Sequence, residues 1–208
     1  MKRKVSIIGA GNVGSTLCLY IAQQELSEIV LIDINRNIAE GKALDIKQAG
    51  AILGFNTPIT TGDDYSLIEG SDVVVVTAGF PRQPGMDRLD LLHKNRDIID
   101  IAGNNIKKYA PNSKVIVVTN PVDVMTYRMW QTTGFPSNRV MGQAGILDTG
   151  RMIMFLADEI KVSPKDIDGL VLGGHGDTMV PIFELTRIKG IQVNKFLDNI
   201  KLSDIEKK

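Results

Sequence analysis

Short runs of aliphatic and β-branched residues alternate with longer stretches of helical spacing through the first 140 residues. Val5-Ser-Ile-Ile8 is one such run, stopped by Gly9, and Val13 to about Gln24 carries apolar residues at helical intervals. Ile29 to Ile32 predicts a second strand ending at Asp33, and Ile38 to Gln48 a second helix. Asp72 to Thr77 and Lys114 to Thr119 predict further strands, with a helix from about Leu89 to Tyr109 between them. Unbroken Val/Ile runs are what strands buried on both faces require, as in a parallel sheet. Repeated strand–helix units then predict an α/β chain with a doubly wound parallel sheet. After Val140 the pattern changes. A helix from about Leu147 to Ile160 leads to a strand from Ile167 to Leu172 and a glycine-rich turn at Gly173 to Gly176. A boundary is therefore expected near Met141 to Gln143, giving domains 1–142 and 143–208.

Composition narrows the function classes. The 208 residues carry 24 basic and 24 acidic side chains, so no nucleic-acid or membrane footprint is expected. A 43% apolar content permits a core and argues against disorder. The one cysteine, Cys18, excludes an intramolecular disulfide and every multi-cysteine metal motif. It falls inside an apolar helix and reads as core packing; no metal site is expected. No apolar run reaches membrane-spanning length. Met-Lys-Arg-Lys leads straight into a strand rather than a signal peptide, so the expected location is the cytoplasm.

Gly9-Ala10-Gly11-Asn12-Val13-Gly14 is G-x-G-x-x-G placed between a strand and a helix, with Asp33 nineteen residues further on at the next strand end. That context makes it a dinucleotide fingerprint of Rossmann type. Gly9 permits the tight turn, Gly11 lets a pyrophosphate approach, and Gly14 lets helix and strand pack closely. The helix N-terminus offers free N–H groups and positive dipole. Asp33 is expected to accept from ribose hydroxyls and to repel a 2′-phosphate, which favours NAD over NADP.

The segment Ala78 to Arg88 follows a strand and carries Arg82 and Arg88 among Gly79, Pro81, Pro84 and Gly85, so it reads as a loop at a strand's carboxyl end. Arginine forks there suit a small anionic substrate. Standing alone, the same loop reads as two solvated arginines. Asn120, in Thr119-Asn-Pro-Val-Asp123, sits at another strand tip; alone, it reads as an Asn-Pro turn. Asp148 and Arg151 share a helical face, either as a local ion pair or as a base-orienting acid beside a carboxylate clamp. His175, in Gly-Gly-His-Gly-Asp177, is the candidate base, since histidine titrates near neutrality and glycines leave it open. The other histidine, His93, follows Leu91-Leu92 and reads as a partly exposed helical residue.

In this order, the motifs GAGNVG, TAGFPRQPGMDR, TNPVD, GILDTGR and GGHGDTMVP resemble the lactate/malate dehydrogenase family, and most closely its lactate-dehydrogenase-like malate dehydrogenases. The resemblance runs from Val5 to about Pro181. It implies an NAD-binding Rossmann domain over 1–142 and an incomplete α+β substrate domain over 143–208. It implies His175 as proton acceptor with Asp148 as its partner, Arg151 on the substrate carboxylate, and Arg88 on the carbonyl. Arg82 matches the specificity position, where lactate enzymes typically carry glutamine. Asn95, Val118, Thr119 and Asn120 match nicotinamide-nucleotide contacts, Asn120 also touching substrate. The implied reaction is reversible oxidation of (S)-malate to oxaloacetate by a cytoplasmic homo-oligomer, a dimer or tetramer. The alternatives are a lactate or other 2-hydroxy-acid dehydrogenase, and an NAD-binding fragment without turnover. Family members continue past this chain's end, so a C-terminal truncation is expected. Ser203-Asp-Ile-Glu206 is a capping box that fits a helix starting there. Gly150 stands where relatives often have alanine.

Overall fold

The computed structural model describes residues 3–81, 85 and 88–206, with Arg88 as backbone only. Its contacts fall into two compact units, one ending at Gly142 and the other starting at Gln143.

In the first unit, six strands form one parallel sheet. They are β1 (Lys4–Ile8), β2 (Glu28–Ile32), β3 (Ile59–Gly62), β4 (Val73–Val76), β5 (Lys114–Val117) and β6 (Val140–Gly142), in spatial order β3-β2-β1-β4-β5-β6. Ile8 pairs with Ile32 on one side and Val76 on the other. Chain order reverses across the β1–β4 neighbours, which is where a doubly wound sheet opens a ligand crevice at its carboxyl end. Among the described residues four α-helices complete the unit: α1 (Asn12–Gln23), α2 (Arg36–Leu53), α3 (Arg88–Tyr109) and α4 (Val122–Thr133).

Successive strand residues point to opposite faces, and here both faces are covered. Ile7 packs with Cys18 and Ile21 of α1 and Ala39 and Ala43 of α2. Ile8 packs on the other face with Ile99 and Ala102 of α3 and Met125 and Met129 of α4. Each isoleucine or methionine among them contributes roughly 1.5–3 kcal/mol on burial, the alanines less. The expected doubly wound sheet is thus the fold observed. Cys18 is a core residue, and burial pushes its thiol up to about 12, which leaves it inert.

Three elements of this unit carry weaker sequence signals. Strand β3 reads Ile-Thr-Thr-Gly, and β6 has only three residues. Helix α4 buries Val122, Met125, Met129 and Thr133 at helical spacing and ends on left-handed Gly134 (φ +66°).

The second unit comprises α5 (Gly145–Ile160), β7 (Ile167–Asp168), β8 (Val171–Leu172), β9 (Val180–Pro181), β10 (Arg187–Ile188), β11 (Ile191–Gln192) and α6 (Asn199–Glu206). Strands β11-β10-β7 form one antiparallel sheet and β8-β9 another. Met152, Leu156, Ile167, Val171, Ile188, Leu202 and Ile205 belong to one shared core.

Two expectations are corrected here. The strand expected over Ile167–Leu172 is two strands in different sheets. The period-two alternation is real, with Ile167 and Val171 buried and Leu172 exposed. Pairing partners change at Gly169, where an added Cβ would lie 2.5 Å from Met152 Cε, and the Val171 N–H turns to the Thr149 hydroxyl (3.0 Å). The last helix does not start at Ser203. Asp198 caps it instead, its carboxylate accepting the Lys201 N–H at 2.9 Å. Aspartate caps as well as serine, and the earlier start lets Leu202 and Ile205 share a buried face.

Among the described residues no helix is long and apolar enough to cross a membrane. A cleft of about 810 Å³ opens at the amino end of the first sheet, between Arg3, Asp72, Lys114 and Arg139. It lies at the end of the strands opposite the motifs, and none of the candidate residues lines it.

Candidate active-site residues at the strand tips

In the first unit the β1–α1 turn is built around its glycines. Gly9 adopts φ +105°, and a Cβ there would lie 2.6 Å from the Ala78 nitrogen. A Cβ on Gly14 would lie 1.9 Å from the Gly9 carbonyl oxygen, so helix and turn touch backbone to backbone. Gly11 differs: nothing lies within 4 Å of its missing Cβ. It stands at the N-cap of α1 with no side-chain cap, and Gly11, Asn12 and Val13 are exposed while Ala10 is buried. The result is an open helix N-terminus suited to an anion. Asp33 is oriented from both sides. Its Oδ2 accepts the Ala10 N–H at 2.7 Å and its Oδ1 the Asn35 N–H at 2.9 Å. Each carboxylate oxygen retains a further acceptor position.

The tips of β4 and β5 are laced together by side chains. The Thr119 hydroxyl donates to the Ala78 carbonyl at 2.7 Å. Asn95, on α3, is 1% exposed. Its Oδ1 accepts the Phe80 N–H at 2.7 Å and its Nδ2 donates to the Asn120 carbonyl at 2.7 Å. Asn95 is therefore a brace between the start of the 78–88 segment and the β5 tip. A Cβ on Gly79 would lie 2.7 Å from Thr119 Cγ2 and 3.3 Å from Asn95 Oδ1, which explains the glycine. Val118 is half-buried and Asn120 exposed at the end of the same tip. Arg82 and the side chain of Arg88 lie outside the described residues. His93 is exposed on α3.

In the second unit α5 and the glycine-rich turn bring three candidates together. Asp148 Oδ2 accepts from His175 Nδ1 at 2.8 Å, and Asp148 Oδ1 accepts from Arg151 at 3.1 Å. The Asp148 side chain is only 4% exposed, against 22% for His175 and 56% for Arg151. A buried carboxylate thus holds a partly exposed imidazole on one oxygen and a largely exposed guanidinium on the other. The Asp148–Arg151 pair is local, as the spacing allowed, and the other oxygen of the same acid holds the His175 ring. The turn requires Gly173, which has φ +98° and whose Cβ would lie 2.3 Å from the Thr178 carbonyl oxygen. Thr149 ties this turn's strand to α5 through the Val171 N–H. Nothing in the sequence marks Thr149, because threonine in a helix's early turns is ordinary.

Two family models match the chain. Residues 3–142 match the lactate/malate dehydrogenase NAD-binding domain, and residues 146–208 match the lactate/malate dehydrogenase α/β C-terminal domain. The malate dehydrogenase of Staphylococcus carnosus is 50% identical over 206 residues, covering 98% of this chain and 66% of that protein. The crystal structure of Cryptosporidium parvum malate dehydrogenase superposes with a TM-score of 0.95 at 39% identity, covering all of this chain and 68% of that one. The lactate dehydrogenase of the same organism, complexed with lactic acid and β-nicotinamide adenine dinucleotide, gives 0.92 at 37% identity, over 99% of this chain and 66% of that one. The chain spans about two thirds of the length of the curated relatives it matches. With both domain models matched in order, the chain belongs to the lactate/malate dehydrogenase family.

Proposed function

We propose that this chain carries the coenzyme site and catalytic pair of an NAD-dependent 2-hydroxy-acid dehydrogenase whose substrate pair is (S)-malate and oxaloacetate. The observation that carries the reading is the buried Asp148 carboxylate joining His175 and Arg151. Asp148 accepts from Nδ1–H and so fixes the tautomer that leaves Nε2 as the basic nitrogen. His175 then takes the substrate hydroxyl proton at Nε2, and Asp148 stabilises the imidazolium that forms. Arg151 grips the carboxylate beside the reacting carbon with its planar fork. Arg88 polarises the carbonyl, and Arg82 meets the second carboxylate. In the reverse direction protonated His175 donates to oxaloacetate.

The residues of the glycine turn fit NAD. Gly11 presents open space and free helix N–H groups to a pyrophosphate, and Asp33 retains acceptor positions for ribose hydroxyls. Gly9 to Gly14, Val118, Thr119 and Asn120 would hold it, with Asn95 bracing the tip beneath. When bound, NAD accepts or supplies the hydride. The malate and lactate dehydrogenases among the relatives support the reaction class, and the arginine at position 82 supports a dicarboxylate. A desolvated arginine with no second carboxylate to meet costs several kcal/mol in principle, which disfavours pyruvate. A cytoplasmic homo-oligomer is the setting consistent with this reading.

Two measurements test it. The purified chain should consume NADH with oxaloacetate far faster than with pyruvate, and His175→Asn should abolish that turnover. A chain that binds NADH but turns over neither keto acid would instead be a coenzyme-binding unit without turnover. Arg82→Gln should lower the ratio of kcat/KM for oxaloacetate over pyruvate. An unchanged ratio would remove Arg82 from the specificity argument.

A further inference from the structure

One side chain at the β4 tip belongs to none of the motif roles. The Thr77 hydroxyl stands 3.0 Å from the Gly9 carbonyl oxygen and 3.3 Å from that of Ile8. It has a single proton to give. The Ile8 carbonyl already accepts two backbone N–H groups, from Thr77 and Ala78, each at 2.9 Å, and so has both lone pairs filled. The proton therefore goes to Gly9, the nearer oxygen. Gly9 is buried, and its carbonyl is the one that presses on Gly14.

The same peptide group is held at its other end. The N–H that follows the Gly9 carbonyl is that of Ala10, and it donates to Asp33 Oδ2 at 2.7 Å. One peptide plane is thus stretched between a threonine hydroxyl and an aspartate carboxylate. Any rotation of that plane moves both the glycine turn and the carboxylate it orients.

We propose that Thr77 is a positioning residue for the coenzyme: its hydroxyl and the Asp33 carboxylate hold the Gly9–Ala10 peptide from opposite ends, and the hydroxyl thereby sets the aim of Asp33 and the shape of the phosphate turn. The inference rests on the coenzyme reading above. Thr77 touches no ligand in this role; it acts through the peptide. Valine in its place keeps the shape, removes the proton and leaves a buried carbonyl without its donor, whereas serine keeps the hydroxyl.

The test is an NADH fluorescence titration of the full chain, which needs no turnover. Thr77→Val should raise the NADH Kd about tenfold, the change expected if re-aiming the displaced peptide on binding costs about as much as one hydrogen bond, and Thr77→Ser should restore it. Thr57→Val is the control. Thr57 makes an equivalent buried bond, to the Ala22 carbonyl at 2.7 Å, away from the turn, so its loss should lower Tm and leave Kd unchanged. Thr77→Val should also raise Kd less in an Asp33→Ala background than in the unmodified chain, because the two groups act on one peptide. Equal effects in both backgrounds, or a Thr77→Val Kd matching the unmodified chain's, would overturn the inference while leaving the coenzyme reading intact. Failure of the unmodified chain to bind NADH would overturn that reading and this inference with it.

Discussion

A methyl group has opposite consequences at two helical glycines. Gly14 lies in the first turn of α1, where an added Cβ would sit 1.9 Å from the Gly9 carbonyl oxygen and 2.8 Å from Thr77 Oγ1. Neither neighbour is a flexible side-chain end, so Gly14→Ala has to push the helix off the turn, at about 1–3 kcal/mol. NADH affinity should fall with it, read by the same titration. Gly150, in the second turn of α5, has nothing within 4 Å of the position a Cβ would take. Gly150→Ala should therefore stabilise the chain by roughly 0.5–1 kcal/mol through the lost entropy of the unfolded backbone, visible as a higher urea midpoint. A lower midpoint would mean that the helix needs glycine there for a reason outside its own packing. Residue-scale legibility follows the same logic. Gly9, Gly14 and Gly173 are readable because only glycine tolerates their backbone or their neighbours, and Asp33 because of its fixed spacing from the turn. Thr77 is not, since its role depends on two lone pairs of Ile8 already being filled, which no one-dimensional pattern records. Asn95 is legible as a site residue by resemblance alone, while its brace to Phe80 and Asn120 appears only in three dimensions.

At the scale of elements, α3 and α4 are joined by a charged clasp on top of their apolar contact. Arg128 of α4 donates to both oxygens of Asp100 on α3, at 2.6 and 2.8 Å, and Thr132 adds a third bond at 2.8 Å. The Arg128 hydrogen bonds hold the Asp100 carboxyl below the ordinary carboxylate range, against some opposition from burial. Asp100 is 26% exposed and Arg128 41%, so solvent screens the pair and its worth lies in the range of ~0.2–1 kcal/mol found for exposed pairs. Because the folded-state value is depressed, the contribution is complete above the unfolded carboxylate value near ~3.9 and disappears as pH falls through the lower folded one. The stability difference between the native chain and Asp100→Asn should thus be constant at neutral pH and shrink below about pH 4. A difference that stays level across that range would show that the clasp contributes through shape rather than charge. The elements themselves were legible where the hydrophobic signal is strong. β1, β2, β4 and β5 are buried on both faces and read as strongly aliphatic runs, interrupted in β1 only by the buried Ser6. β3 and β6 are short edge strands with threonine or glycine in them, and α4 follows a proline that reads as a turn. The 167–172 stretch kept its alternation but changed partners at Gly169, and a change of partner leaves no trace in a period-two pattern.

At the scale of the whole molecule, the core is divided as the chemistry is divided. The first unit has two apolar clusters, one on each face of its sheet, and every member of both lies between Val5 and Val140. The second unit has one cluster among its described residues, drawn from Met152 onward. All the coenzyme candidates fall in the first unit, and Asp148, Arg151 and His175 in the second. A unit with both sheet faces covered and about 140 residues of its own is of the size that folds alone. Residues 1–142 expressed by themselves should therefore melt cooperatively and bind NADH with the Kd of the full chain, and Thr77→Val should weaken binding equally in both. Calorimetry and the NADH titration check the two halves of this statement separately. A folded 1–142 unit that fails to bind NADH would mean that the second unit contributes to the coenzyme site directly. A unit that fails to fold would mean that its two clusters are too small to stand alone. If it folds and binds, the separation follows from physics already visible in the sheet. The glycine turn and Asp33 draw their geometry from β1, β2 and β4, and all three strands are buried within that one unit.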